Sequence, residues 1–443
     1  MIAGFDPRTA LTRWIPWPWL DAAGVAFVSG AYLPLSRGWA AACAAGGDVE
    51  RFRREAGADL RGPTLPPTLA QTASLARRYR EATGQWESLF FADQPPPESR
   101  LAAAERRRNR AATRFMLSRT GFALWVRQLP PVRWEIATPG AVEARHGGNR
   151  GDPAAAYAPS DPPAVRASHS YAGRRQRRLW LRFPSPVLGD RAWARVIEPV
   201  DRPAVMTIIH LHGIAMEPDL WPPARNAFLS LVNHGVRVVR PEGPWHGRRM
   251  LKGWYGGEPV LGRGPDGLLT FLRAWVREVA VLIAWARATG SERVAVSGAS
   301  LGALTAQLVA GISAGWPPPF RPDAVMLVAT SGRPMEIVSD GSLARGIGLP
   351  AALAEAGWTT RQLSRWLALV DPGPHPAVDP ARVIMVLGEA DDLTPFQGGL
   401  DLAERWQLPA DNVFVRPQGH FSVSLSMLND AAPTRRLLAV MQG

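Results

Sequence analysis

A single serine stands between two glycines at the point where an apolar run gives way to a helical pattern. Residues 294–307 read VAVSGASLGALTAQ, with Ser300 between Gly298 and Gly302. Glycines at both positions permit a tight turn, and such a turn can hold a serine hydroxyl out toward a substrate. The spacing predicts a nucleophile at Ser300, and the alternative is a glycine-rich turn with an ordinary serine.

A serine nucleophile needs a nearby base, and two histidines follow Ser300 in the chain. His420 stands in RPQGHFS, on a glycine loop directly after the last predicted strand. His375 stands in DPGPHPAVDP, ahead of a strand, which would put it at the opposite edge of a parallel sheet. His420 is therefore the predicted base, and His375 is expected to be an exposed loop residue.

The acid that orients such a histidine should follow the preceding strand. The segment VIMVLGEADDLTP supplies three carboxylates there, those of Glu389, Asp391 and Asp392. The pattern G-x-x-D-x-apolar-x-P fits when Asp391 is its aspartate. Asp391 is the predicted acid, and Asp392 remains the alternative.

Two backbone N–H groups should bind the developing oxyanion. Leu301 directly follows the serine, and Ile214 lies in the loop HLHGIA, which Gly213 allows to bend. His210 and His212 alternate at the preceding strand end and could form a metal pair, but no carboxylate or cysteine cluster accompanies them. Support of the oxyanion loop is the favoured interpretation, and no metal is expected.

A loop rich in bulky and basic side chains follows the predicted strand at residues 236–240. It reads RPEGPWHGRRM, and it is expected to lie at the mouth of the site. The predicted substrate pocket therefore contains His212, Trp245, His246 and Arg248.

The elements that must position these residues alternate between strand and helix from about residue 170 onward. Buried-strand runs such as AVMTIIHLHG and DAVMLVAT are separated by helical patterns such as FLRAWVREVAVLIAWARATG. This alternation predicts an α/β class protein with a doubly wound, mostly parallel sheet over residues 171–443. Residues 331–380 are predicted to form a lid insertion, and an extra core helix is the alternative.

The first part of the chain has a different pattern. Residues 1–137 carry apolar side chains at helix spacing between Arg and Glu, and they are predicted to form a helical region. Residues 138–170 are rich in Ala, Gly and Pro without periodicity, which indicates a linker or long loop.

Composition limits the classes of protein that the chain can belong to. One cysteine excludes an intramolecular disulfide, and no segment is typical of a signal peptide or a bilayer-spanning helix. A soluble, cytoplasmic protein is the expectation.

The basic charge lies almost entirely in the first part of the chain. Residues 1–200 carry +12 of the net charge of +13. No nucleic-acid-binding motif accompanies this charge, so no nucleic acid partner is expected. Peripheral membrane contact through the N-terminal region, where Trp14 lies in RWIPWPWL, is one alternative. The favoured interpretation is a helical layer whose Arg side chains pair with Glu at helix spacing.

Taken together, the motifs resemble those of the α/β-hydrolase superfamily over residues from about 175 to 443. The matching segments are HLHGIA, GPWHGRR, GASLG, VDPARVIMVLGEADDLTP and QGHFS. Within the superfamily, the VDP and GPWHGRR segments make the chain most similar to the family of abhydrolase domain-containing protein eighteen and its bacterial relatives. The resemblance implies the α/β-hydrolase fold and hydrolysis of carboxylic esters, acyl-lipid esters among them, without a cofactor.

The function predicted from these residues is that of a serine carboxylic-ester hydrolase of the esterase or lipase type. Ser300 would attack the ester carbonyl, His420 would take its proton, and Asp391 would orient His420. The substrate would be a small-molecule ester or an acyl lipid. An acyltransferase on the same triad and a non-catalytic interaction protein with the hydrolase fold are the alternatives.

Overall fold

A ten-stranded mixed sheet forms the centre of the computed structural model, which describes residues 17–173, 175–216 and 227–443. The spatial order is β1-β3-β4-β6-β5-β7-β8-β9-β10, and β2 pairs with β3 beside this path. The strands are β1 (Arg166–Ala167), β2 (Tyr171–Ala172), β3 (Gln176–Pro184), β4 (Arg191–Pro199), β5 (Met206–Leu211), β6 (Val236–Pro241), β7 (Arg293–Ala299), β8 (Ala324–Val328), β9 (Val383–Gly388) and β10 (Val413–Arg416).

The predicted mostly parallel α/β sheet is confirmed. Strands β5 to β10 pair in parallel with one another, whereas β1 to β4 pair antiparallel and β4 joins β6 antiparallel. Alternate residues of a central strand enter different apolar cores, with Val325 and Leu327 on one face and Met326 on the other. The sheet is thus buried on both faces, which explains why its strands read as continuous apolar runs.

The described helices cover both faces of the sheet and build a separate layer from the first part of the chain. A π-helical turn (Val28–Tyr32) joins the first two helices. The helices are α1 (Trp17–Phe27), α2 (Leu33–Ala45), α3 (Val49–Ala56), α4 (Leu65–Phe90), α5 (Glu98–Leu117), α6 (Pro139–Gly151), α7 (Pro153–Tyr157), α8 (Leu229–Val232), α9 (Glu258–Gly262), α10 (Gly264–Ala288), α11 (Leu301–Ile312), α12 (Pro334–Ser339), α13 (Ser342–Gly346), α14 (Leu349–Glu355), α15 (Thr360–Ser364), α16 (Phe396–Arg405), α17 (His420–Ser426) and α18 (Ala432–Gln442).

Local sequence signals set several helix ends. Helix α3 begins where the side chain of Asp48 accepts a hydrogen bond of 2.6 Å from the Arg51 N–H, and it ends at Gly57 in the left-handed conformation. An aspartate at the start satisfies an otherwise unpaired N–H, and a glycine at the end adopts a positive φ without strain.

The N-terminal helices pack directly on the α/β part of the chain. Trp39 and Phe122 belong to the same buried cluster as Ile209 and Leu211 of β5. A fully buried ion pair adds a polar contact, in which the Arg37 guanidinium lies 2.8 Å from the carboxylate of Glu258. The two parts therefore share one apolar core.

The acidic side chains of the N-terminal helices pair in two ways. Glu50 with Arg53 and Glu105 with Arg108 are pairs at helix spacing, whereas other glutamates reach distant arginines. Glu87 of α4 binds Arg182 and Arg191 on β3 and β4, each at 2.5 Å. Glu55 lies 3.2 Å from Arg133. Tertiary packing therefore sets these distant pairs, because the sheet brings Arg182 and Arg191 to Glu87 and a segment outside the sheet brings Arg133 to Glu55.

Residues 138–170, predicted as a linker or long loop, contain two helices instead. Helix α6 starts at a Thr138 cap and Pro139, both of which favour a helix start. Val142 and His146 are buried, and the His146 Nε2 lies 2.9 Å from a carboxylate oxygen of Asp266. The segment folds because of these tertiary contacts, which its Ala, Gly and Pro composition does not reveal.

The segment predicted as a lid folds into four short helices, α12 to α15, between β8 and β9. In the part of the chain that the structure describes, no helix is both long and apolar enough to cross a bilayer. Trp14 lies outside the described residues, while Trp19 and Phe27 of α1 are exposed. Peripheral membrane contact through this region stays a prediction.

Candidate active site

Ser300 occupies a strained turn between β7 and α11. Its φ of 55° and ψ of −121° are unusual for a residue with a side chain. Such a conformation costs about 1–3 kcal/mol and persists where the surroundings hold it. Here the Ser300 N–H donates to the Val328 carbonyl at 3.0 Å, and the Ser300 carbonyl accepts from the Leu304 N–H at 2.9 Å.

The two flanking glycines are required by close backbone approach. A Cβ at Gly298 would lie 2.1 Å from the Gly302 carbonyl oxygen, and a Cβ at Gly302 would lie 2.4 Å from the Leu211 carbonyl oxygen. Both distances are far shorter than any van der Waals contact. The glycines therefore allow strand β7, helix α11 and the end of β5 to meet at the serine.

His420 meets this serine at the carboxyl edge of the sheet. The His420 Nε2 lies 2.9 Å from the Ser300 Oγ, within hydrogen-bond distance. His420 is the first residue of α17, directly after Gly419, and its side chain is buried. In this geometry the imidazole can accept the serine proton.

Asp391 binds the other imidazole nitrogen. Its Oδ2 lies 2.9 Å from the His420 Nδ1. Its Oδ1 accepts from the N–H groups of Leu393 and Thr394 at 3.0 Å and 2.9 Å. This is the arrangement by which an aspartate forms a local turn, so the carboxylate is fixed before it reaches the histidine.

The ionised form of Asp391 is favoured. Burial by itself would raise the pKa of this carboxyl, but the charge of His420 and the hydrogen bonds from His420 and Thr394 outweigh it. The pKa of Asp391 therefore lies below its ordinary value. A carboxylate in this state can orient the imidazole and stabilise its protonated form.

The alternative residues lie elsewhere. Asp392 is exposed, and its Oδ1 accepts from the Ser342 hydroxyl at 2.8 Å, which ties it to the segment above the sheet. Glu389 and His375 are also exposed. The structure thus brings Ser300, His420 and Asp391 together and leaves these three apart from them.

Thr394 also belongs to this cluster, although the sequence analysis did not single it out. Its Oγ1 donates to the Asp391 Oδ2 at 2.8 Å and lies 3.1 Å from the His420 Nδ1. Its position in the sequence could have indicated this contact. Thr394 follows Asp391 by three residues, and a turn formed by an aspartate brings the third following residue close to the carboxylate.

Ile214 and Leu301, the predicted N–H donors, both border the cavity at Ser300. The loop that carries Ile214 is held by His212. The His212 Nδ1 lies 2.8 Å from the Gly213 carbonyl oxygen, and its Nε2 accepts from the Gly243 N–H at 3.0 Å. Burial lowers the pKa of His212 to about 4, so a neutral imidazole bridges the two loops.

A cavity of about 190 Å³ opens beside Ser300. Most of its lining residues come from α9 to α11, from α12 to α15 and from the residues after them. Besides Ser300, its polar lining residues are Thr330, Ser331 and Thr394. The rest is apolar and includes Leu268, Leu304, Met335, Leu353, Trp366 and Val370.

The side chains predicted for the pocket do not line this cavity. Trp245 and His246 belong to the loop after β6, and both side chains are buried. The His246 Nδ1 lies 2.9 Å from the Pro244 carbonyl oxygen, and burial keeps the pKa of His246 well below its usual range. His212 instead borders a smaller cavity together with His210.

Arg248 is an internal packing residue as well. Its guanidinium pairs with Glu242 and lies 4.2 Å from the ring centre of Trp180, 4.7 Å from that of Trp86 and 5.0 Å from that of Trp193. Trp86 belongs to α4, and the other two rings belong to the sheet. Stacking on aromatic faces explains why an arginine is buried where the N-terminal layer meets β3 and β4.

Within the described ranges, no group of three or more His, Cys, Asp or Glu side chains could hold a metal ion. The two histidines that raised this possibility are engaged otherwise. His210 lies 3.4 Å from the Ser297 hydroxyl, and burial lowers its pKa to about 3.

Solved structures of two esterases are similar to part of this chain. Acetyl xylan esterase 1 from a Thermoanaerobacterium species superposes with a TM-score of 0.47 at 18% identity, over 64% of this chain and 93% of that chain. An acetyl xylan esterase from a Paenibacillus species gives a TM-score of 0.47 at 15% identity, over 69% of this chain and 96% of that chain. No curated protein sequence matches the chain significantly.

A match to a family model covers more than half of the chain. Residues 208–437 fit the model of the Alpha/beta hydrolase family. This interval includes the serine turn, the acid loop and the histidine loop described above. The chain therefore belongs to the alpha/beta hydrolase family.

Proposed function

We propose that this protein is a serine hydrolase of carboxylic esters, with Ser300, His420 and Asp391 as its catalytic triad. The observation that carries the proposal is the chain of contacts from Asp391 through His420 to the Ser300 hydroxyl, with both links at 2.9 Å. It ends at an apolar cavity, which is where an acyl group could bind.

The first half of the reaction forms an acyl-enzyme. The Ser300 Oγ attacks the ester carbonyl carbon while its proton moves to the His420 Nε2. The carbonyl oxygen becomes an oxyanion, for which the backbone N–H groups of Ile214 and Leu301 are the proposed donors. Collapse of this intermediate breaks the ester bond, and the departing alkoxide takes the proton from His420.

The second half regenerates the serine. A water molecule gives a proton to His420 and attacks the acyl carbon, and the second oxyanion collapses to release the carboxylic acid. The proton returns to the Ser300 Oγ. Asp391 stays ionised throughout and stabilises the imidazolium in both halves, which agrees with the low pKa of its carboxyl.

The cavity supports an apolar acyl group as the part of the substrate that is recognised. Burial of each methylene contributes about 0.8 kcal/mol, or roughly a fourfold gain in kcat/KM where the group is bound in the transition state. We therefore propose that the helices α12 to α15 act as a cap that forms one wall of an acyl site. Acyl-lipid esters fall within this class.

The narrower resemblance to abhydrolase domain-containing protein eighteen rests on its short motifs, and no comparison supports it. The proposal therefore stays at the level of ester hydrolysis. An acyltransferase would use the same triad but pass the acyl group to an alcohol in place of water.

The test is a panel of p-nitrophenyl esters from acetate to palmitate, assayed with the purified full chain. We expect kcat/KM to rise with acyl length until the cavity is filled. Added alcohols should capture little of the acyl group, whereas efficient capture would favour the acyltransferase. Absence of turnover together with absence of labelling by a fluorophosphonate would favour the non-catalytic alternative.

A further inference from the structure

A carboxylate from the first described helix lies at the start of the helix that carries His420. Asp21 of α1 has only 5% of its surface exposed. Its Oδ2 accepts from the Gly419 N–H at 2.9 Å, and its Oδ1 accepts from the N–H groups of Phe421 and Ser422 at 2.8 Å and 3.0 Å. The Ser422 hydroxyl also donates to this carboxylate.

These hydrogen bonds enclose His420 on both sides. Gly419 precedes the histidine and Phe421 follows it, so the carboxylate fixes the backbone from which the imidazole extends. The approach is close enough that a Cβ at Gly419 would lie 2.6 Å from the Asp21 Cγ. Unpaired N–H groups at a helix start favour a negative charge, which here comes from a residue 398 positions away.

The same N-terminal segment reaches the loop that carries Ile214. The Tyr32 hydroxyl donates to the Ala215 carbonyl at 3.1 Å. Ala215 has a φ of 57°, so the loop holds a conformation that a residue with a side chain rarely adopts. Residues 17–32 thus contact the loop of the proposed base and the loop of one proposed oxyanion donor.

We propose that residues 17–32 are a positioning element of the active site, acting on His420 through Asp21 and on the Ile214 loop through Tyr32. This proposal rests on the proposed function. Asp21 and Tyr32 do not belong to the residues that line the cavity, so both act as positioning residues. A base displaced by about 1 Å can cost on the order of 100-fold in rate, so such a contact can govern turnover.

If Asp21 were a helix cap with a purely structural role, its removal would have a different effect. It would lower the melting temperature and leave the activity of the folded protein unchanged. A positioning residue would lower kcat, while KM would hardly change because the acyl cavity is intact. The two roles are therefore separated by kinetics measured well below the melting temperature.

The experiment compares Asp21→Asn with the wild-type full chain. Asparagine keeps the size of the side chain but replaces one acceptor oxygen with an NH₂ group, which would face N–H donors. We expect kcat for a p-nitrophenyl ester to fall about 10- to 100-fold with KM within about twofold. The rate of fluorophosphonate labelling at Ser300 should fall in parallel.

Asp48→Asn is the matched control, because Asp48 caps helix α3 in the same N-terminal region. It should leave kcat and the labelling rate unchanged. Tyr32→Phe and Ser422→Ala each remove one contact and should give smaller losses of kcat. They replace Asp21→Asn in the experiment if that protein folds poorly. If the folded Asp21→Asn protein keeps the wild-type kcat and labelling rate, this inference is wrong and the proposed function is unaffected. If Asp21→Asn does not fold, the same result in both milder variants has the same meaning. A wild-type protein that shows no Ser300-dependent labelling would overturn the proposed function, and this inference with it.

Discussion

The His420 Nε2 lies 2.9 Å from the Ser300 Oγ, although 120 residues separate the two in the chain. Each side chain comes from a backbone segment that hydrogen bonds hold in place. Ser300 sits in a strained turn between glycines, and His420 opens a short helix whose start is capped by Asp21. Contact between them therefore requires that the whole sheet places two loops at the same edge.

Replacement of Ser300 by alanine tests the proposed nucleophile. We expect ester turnover to fall by about 10⁴-fold or more, because removal of a triad member leaves only binding and oxyanion stabilisation. Labelling by a fluorophosphonate should disappear. Ser364→Ala, at an exposed serine of the cap, is the control and should label normally. Continued labelling of the Ser300→Ala protein would show that another residue is the nucleophile.

The neighbouring aspartates should respond very differently to substitution. Asp391→Asn should lower kcat by about 10⁴-fold, because the asparagine no longer stabilises the required imidazole tautomer. Asp392→Asn should change kcat by less than about twofold, since its exposed side chain contacts Ser342. Steady-state kinetics of both proteins decide between them, and the opposite order of effects would assign the role to Asp392.

A bulky side chain in the cavity wall should shorten the acyl group that is accepted. Ala344 of α13 is buried and lines the cavity, so Ala344→Phe would fill part of it. Loss of room for two methylenes should lower kcat/KM for long-chain esters by at least about tenfold and leave acetate esters nearly unchanged. Ala354→Phe, at an exposed position of α14, is the matched control. Equal effects on all chain lengths would contradict the proposed acyl site.

The buried ion pair between the N-terminal helices and the α/β part should contribute strongly to stability. Arg37→Ala leaves the Glu258 carboxylate buried without its cation, which typically costs about 3–5 kcal/mol. Burial already raises the pKa of Glu258, and Arg37 opposes this effect. Chemical denaturation measures the loss. The control is Arg61→Ala, which removes an exposed pair with Asp59 and should leave the denaturation midpoint nearly unchanged. A loss as small as in this control would mean that the pair is dispensable.

The cysteine at position 43 should be inert in the folded protein. Burial raises the pKa of the Cys43 thiol to about 12, although nearby arginines oppose this shift. The Cys43 side chain is half-buried. Because the thiolate is the reactive form, a raised pKa should make the thiol react slowly at pH 8. We expect no alkylation by iodoacetamide in buffer and full alkylation in guanidinium chloride, as read by mass spectrometry. Rapid modification of the native protein would contradict the raised pKa of this thiol.

The sequence by itself determined the fold class and the three residues that meet at the site. Alternation of apolar strands with helical patterns is a local property, and it predicted the parallel sheet that the structure contains. The glycine spacing around Ser300 and the order of serine, acid and histidine are also local or linear features. Such signals survive in a sequence because they depend on a few neighbouring residues.

Tertiary structure decided which side chains surround the site. His212 and Arg248 looked suited to a pocket, yet packing directs them into loop contacts and a tryptophan cluster. Residues 138–170 have the composition of a linker or long loop, yet buried contacts hold part of them in the two helices α6 and α7. Asp21 caps the helix that begins at His420, although it lies 398 residues before Gly419 in the chain. No local pattern encodes such contacts, because they depend on where the folded sheet and helices bring distant segments together.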